Sequence, residues 1–330
     1  MRKKILSIIL LVTLSISGCG LSSSKGSSST TTGNGVKILF TYSQEEGNAF
    51  RDTLAEGAQE YASSVGAVAD CVYPENSLET QIEQIKTAKS QGYSAIMCIP
   101  EDASTARQLE AAAGDLPIIF CNNSPDASTL KEDKYIYCAS DEGVAGKLQA
   151  EFILNMFSSK DEINVVLLKG LDGHAATVGR TKTLKEDLKA SGKKINYVFE
   201  DFADFDTNTA REDVNFLISK GKKFDLIVCN NDAMARGAIQ ACQDNNINLK
   251  DMPILGVDAT QDGCQAILDG EMVFTVYQPA APQGAEAAKA AIELAKGGTI
   301  SNFESLSSDK LHLWVPFESV DASNAKNYLN

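Results

Sequence analysis

From residue 36 onward the chain repeats one unit: a short apolar run without polar alternation, then a segment with helical spacing. Runs at 36–41, 67–73, 95–99 and 117–121 read as strands, separated by helical patterns at 49–63, 76–92 and 103–113. In the second of these patterns Leu78, Ile82 and Ile85 share one face. Asn76, with Glu79 three residues on, predicts its N-cap, and Gly92 ends it. The unit then restarts, with helices at 144–157, 177–191, 208–219 and 233–245 leading to strands at 163–168, 195–199, 225–229 and 253–257. Continuously apolar strands belong in parallel sheets covered on both faces, and repeated βα units argue for open, doubly wound sheets. The ~295 residues after position 35 carry more strands than one sheet comfortably holds, which predicts an α/β fold of two lobes.

In such sheets a ligand sits outside the carboxyl ends of the strands, so the residues just after each run are the candidates. They are polar or planar: Gln44, Glu45, Asn48 and Phe50 after the first run, then Asn122 and Asn123, His174 and Arg180, Asp204 and Phe205, Asn230 to Asp232, Asp258 and Gln278. A carboxylate accepts from two adjacent hydroxyls, and an amide both donates and accepts. A guanidinium supplies directed donors, and an aromatic face matches the C–H face of a pyranose. The set suits a neutral polyol and lacks the surplus of bases that an anion would want. Residue types alone leave any small polar ligand open. Asn231 and Asp258 equally suit helix starts, Asp232 reads as a helix cap, and Phe50 and Phe205 equally suit a core.

The N-terminus predicts the compartment. Arg2, Lys3 and Lys4 precede an apolar stretch at 5–16, the length of a signal peptide and too short to span a bilayer. Ile16-Ser17-Gly18-Cys19 resembles the bacterial lipobox, in which cleavage leaves a lipid-bearing Cys19. Residues 1–18 are therefore expected to be removed. Residues 19–35, almost all Ser, Thr and Gly from 21 on, should form a flexible tether. The formal charge of −14 makes nucleic acid and anionic lipid head groups poor partners. The other seven cysteines form no Cys-x-x-Cys pair and sit mostly in apolar runs, as small buried hydrophobes do. Only two histidines occur, His174 and His312, and no Gly-x-Ser-x-Gly, His-Glu-x-x-His or phosphate-binding glycine loop, so an enzyme is not expected.

Several segments carry a resemblance across the whole body. Cys229-Asn230-Asn231-Asp232-Ala233-Met234-Ala235-Arg236-Gly237-Ala238, Gly256-Val257-Asp258, Thr275-Val276-Tyr277-Gln278 and Val315-Pro316-Phe317 are similar to the type I periplasmic binding proteins, in the galactose/glucose- and ribose-binding branch. Leu167-Leu168-Lys169-Gly170 with His174 and Arg180 resembles the galactose/glucose type, and Ala203-Asp204-Phe205-Asp206 the ribose type. The resemblance implies two Rossmann-like lobes joined by three crossing segments, near Ser140-Asp141, Gln278-Pro279 and Lys310-His312. It assigns 36–140 plus 279–311 to the N-terminal lobe and 141–278 plus 312–330 to the C-terminal lobe. It implies a monosaccharide ligand held by Asn48, Phe50, Asn122, His174, Arg180, Phe205, Asn231, Asp258 and Gln278, with Phe50 and Phe205 sandwiching the ring.

It further implies a monomer that closes on its ligand and delivers it to an ABC importer, with no cofactor. A sensor presenting ligand to a membrane receptor, and a binder of another polyol such as inositol, share the same features. A sugar-responsive repressor shares the core but has a DNA-binding headpiece in place of a signal peptide. Two positions depart from the galactose/glucose type. Ala176 stands where that type has an acid two residues after the histidine, and 158–162 lacks the alternating Asp and Asn of its calcium loop, so no metal is expected.

Overall fold

The computed structural model describes residues 35–43 and 50–329. The expected signal peptide, nearly all of the tether, Cys19, Gln44, Glu45 and Asn48 lie outside them.

The first sheet is wholly parallel, in the order β11-β5-β4-β3-β1-β2, formed by His312–Trp314 (β11), Tyr135–Ala139 (β5), Ile118–Cys121 (β4), Ala95–Cys98 (β3), Lys37–Thr41 (β1) and Val68–Val72 (β2). Phe50–Ser64 (α1) and Ala280–Ala295 (α9) cover one face, and Leu78–Ala88 (α2) with Ala106–Ala113 (α3) the other. The alternation within β1 shows why its sequence is apolar throughout. Ile38 and Phe40 pack under α1 and α9, whereas Leu39 packs under α2 and α3.

The second sheet runs β7-β6-β8-β9, formed by Lys194–Phe202 (β7), Glu162–Lys169 (β6), Leu226–Cys229 (β8) and Ile254–Leu255 (β9), all parallel. Parallel bridges from Leu255 to Phe274 and from Asp258 to Tyr277 add Thr275–Tyr277 (β10) at its edge. Glu318–Val320 (β12) pairs antiparallel to β10. Glu142–Met156 (α4) and Ala175–Ala190 (α5) cover one face. Thr207–Ser219 (α6), Asp232–Asp244 (α7) and Gln261–Leu268 (α8) cover the other.

The expected pattern lacked β5, β11, β12, α8 and α9. Two boundaries also need correction. The α2 cap is Ser77, whose hydroxyl accepts from Thr80 N at 3.2 Å, not Asn76, whose φ of 59° is left-handed. The third crossing is not at Lys310-His312, because His312–Trp314 pairs with β5 inside the first sheet. The chain leaves for β12 only after Trp314, through Val315 to Phe317.

Close helix contacts hold each lobe. Gly284 of α9 lies so near α1 that a Cβ there would collide with the Leu54 carbonyl. Backbone cannot swing aside as a side chain does, so Gly284→Ala is expected to cost about 2–3 kcal/mol, read as a lower urea midpoint with an unchanged slope. All seven body cysteines are free thiols, six of them buried and Cys71 half-buried.

Candidate functional site

Both sheets change direction of strand addition within the sheet, the first between β1 and β3 and the second between β6 and β8. Side chains just past these strands face a crevice by construction. Here Asn230, directly after β8, accepts from Gly170 N at 3.1 Å and from the Thr181 hydroxyl at 3.2 Å through its side-chain oxygen, tying the two strand ends together.

Arg180 is the centre of the polar group. It lies on α5, is 3% exposed, and its donors fan across four chain segments. Nε donates to Glu142 Oε2 at 2.7 Å, Nη1 to the Asn230 carbonyl at 2.6 Å and Nη2 to Gln278 Oε1 at 3.1 Å. Nη1 also reaches Asp258 Oδ1 at 3.5 Å. Gln278 donates in turn to Glu142 Oε1 at 3.4 Å. Burial works against the Arg180 charge, but Glu142 and Asp258 more than offset it and hold the guanidinium protonated. Burial pushes the Asp258 carboxyl well above the carboxylate range. Arg180 opposes that shift, and the Asp232 and Glu142 charges add to it.

Asn231 caps α7 by accepting from Met234 N at 3.0 Å, which leaves its Nδ2 hydrogens for a ligand. Asp232 is not the cap. It is fully buried in the first turn of α7 and accepts from Thr275 Oγ1 at 2.6 Å and Thr260 N at 2.8 Å, a structural role. His174 caps α5 through Nδ1 on Ala176 N at 3.2 Å, and its ring meets Phe205 edge-on at 5.5 Å between centroids. Phe205 is half-buried, and its ring fills the space that a Cβ on Gly170 would need.

The predicted residues thus fall into groups. Arg180, Asp258 and Gln278 touch directly, with Asn231 adjoining through Asn230, and His174 pairs with Phe205. Phe50 and Asn122 belong to the other lobe. Phe50 opens α1 half-buried against the first-lobe core, and Asn122 accepts from Tyr137 Oη at 2.8 Å through its carbonyl. Asn122, Phe205 and Asp258 have φ of 55°, 60° and 120°. Left-handed backbone at non-glycine residues persists where the surroundings enforce it, and such residues cluster at functional sites.

Sequence reasoning missed Glu142. Its signal was present, since it lies three residues after a strand, but Tyr135–Ala139 had not been read as one.

An α/β body of two parallel sheets, joined by three chain crossings and carrying polar side chains at its strand ends, has the architecture of the type I periplasmic binding proteins. Residues 39–299 match the periplasmic binding protein domain family, and the chain belongs to that family. A rhizopine-binding-protein candidate of Rhizobium meliloti is 29% identical over 286 residues, covering 84% of this chain and 88% of that one. The D-galactose/methyl-galactoside binding periplasmic protein of Haemophilus influenzae is 28% identical over 268 residues, covering 77% and 80%. Among solved structures, an ABC transporter solute binding protein from Bacillus halodurans with bound myo-inositol has a TM-score of 0.77 at 25% identity, covering 91% of this chain and 99% of that one. Membership makes this an extracytoplasmic solute-binding protein rather than an enzyme. No helix among the described residues is long and apolar enough to cross a membrane.

Proposed function

We propose that the protein captures a monosaccharide or cyclic polyol between its lobes and delivers it, as a monomer, to the permease of an ABC importer. The observation that carries this reading is the Arg180 group: two carboxylates, a side-chain amide, a main-chain carbonyl and a guanidinium gathered at the strand ends beside the second chain crossing. Asp258 and Asn231 would bond ring hydroxyls, Gln278 would contribute from the crossing, and His174 with Phe205 would cover one ring face. Asn122 and Phe50 would supply the other half of the site, with Asn48 from the segment before α1. A ligand that contacts both halves binds the closed form better and shifts the population toward it. Relatives described as binding galactose, and a solved neighbour holding myo-inositol, support a neutral polyol. Ala176, in place of the galactose/glucose-type acid, makes pentoses and inositols as eligible as galactose.

A thermal-shift screen of D-galactose, D-glucose, D-ribose, myo-inositol and amino acids tests the reading. At 100-fold saturation the true ligand should stabilise the fold by about 2.7 kcal/mol. A shift confined to amino acids would contradict it. Lipid on Cys19 would keep the body near the permease. Cys19→Ser should then release the protein from the membrane fraction of its cells, and retention there would refute the anchor.

A further inference from the structure

Glu142 is a carboxylate that the motif comparison did not assign, and the structure builds it deliberately into the Arg180 group. It is the first residue of α4, immediately after the first chain crossing, and its side chain is 10% exposed. Glycines bring it there. A Cβ on Gly179, the residue before Arg180, would lie 2.7 Å from Glu142 Cβ, and a Cβ on Gly146 would collide with the Arg180 carbonyl. The two helices therefore approach through their small residues at the positions that place carboxylate against guanidinium.

The consequence lies in the donor count. A guanidinium has five N–H groups. Here Nε is spent on Glu142, one Nη1 hydrogen on the Asn230 carbonyl, the other directed at Asp258, and one Nη2 hydrogen on Gln278. One N–H remains, so Arg180 cannot present the two-pronged fork that grips a carboxylate or phosphate. Glu142 also neutralises the Arg180 charge at 2.7 Å, with both side chains nearly buried. A ligand bearing its own negative charge would therefore meet no uncompensated cation and no spare guanidinium face. A ligand bearing only hydroxyls would meet acceptors that need donors.

We propose that Glu142 is a specificity-determining residue, acting through Arg180, that excludes sugar acids and reserves the site for uncharged polyols. This rests on the sugar-binding reading above.

The test measures affinity by calorimetry for two matched pairs, D-galactose against D-galacturonate and D-glucose against D-glucuronate, with D-ribose and myo-inositol as further neutral probes. Wild type should prefer neutral probes by at least ~100-fold, the order expected for a ligand charge buried without compensation. Glu142→Gln should lower that ratio at least tenfold, through weaker neutral and stronger acid binding, and Glu142→Asp should restore it. Glu142→Ser repeats the test if the amide variant does not melt cooperatively. A ratio unchanged within threefold in the charge-removing variants, or wild-type preference for the acids, overturns the role of Glu142 while leaving sugar binding intact. Wild type that binds no member of the panel overturns the functional reading and this inference with it.

Discussion

Asp258→Asn is expected to weaken sugar binding about 100-fold or more without lowering the melting point of the unliganded protein. The affinity loss follows from chemistry: hydroxyls donating to Asp258 favour its ionised form, whose charge-assisted bonds are worth about 1.5–3 kcal/mol each, and an amide in the same place offers one acceptor. The stability result follows from sign. Burial raises the Asp258 carboxyl above its unfolded value. Its favourable contribution is therefore present only at low pH, below the unfolded value, and is lost as pH rises through the folded one. Asparagine has no such loss and tolerates the φ of 120° at this position. The variant should match wild type near pH 4 and equal or exceed it at neutral pH in thermal melts without sugar. Melts that fall in parallel with affinity would make Asp258 a structural residue.

The second large effect concerns Arg180. Arg180→Met removes the sole cation among the described residues that faces Glu142, at 2.7 Å, and Asp258, at 3.5 Å, in a setting where the guanidinium is 3% exposed. Breaking a buried pair from one side leaves a charge without compensation and costs about 3–5 kcal/mol. Arg180→Met should lower stability by that amount in urea denaturation and abolish sugar binding. Removing Glu142 as well, in Arg180→Met/Glu142→Met, should recover most of the stability and none of the binding, because the apolar pair fills the space and burial keeps the Asp258 carboxyl protonated. If the double variant is no more stable than the single one, the energetic centre of the site lies elsewhere.

Much of the architecture was legible because doubly covered parallel strands leave a plain signature. Runs such as Ile96-Met97-Cys98 must be apolar on both faces, and the residues that follow them must carry the polar chemistry. Hence Arg180, Asp258, Gln278 and Asn231 stand out in the sequence, and the first three lie in contact in the fold. What escaped depended on contacts between distant segments. Tyr135–Ala139 is a short strand after a charged stretch, and missing it hid Glu142. Asn76 looked like a cap until its left-handed backbone and the bond from its N–H to Ser43 Oγ, at 2.7 Å, showed it turning the chain so that Ser77 could cap instead. The third crossing was misplaced by a few residues because only the pairing of His312–Trp314 with β5 shows where that strand ends. No local pattern reveals that Gly146 and Gly179 press two helices together around an ion pair.

The most direct test is a crystal structure grown with the sugar or polyol that gives the largest thermal shift. The account predicts one ring between the lobes, with hydroxyls within hydrogen-bonding distance of Asp258 and Asn231 on one side and Asn122 on the other. A ring bound outside the cleft, or contacting one lobe alone with Asp258 and Asn231 untouched, would contradict it.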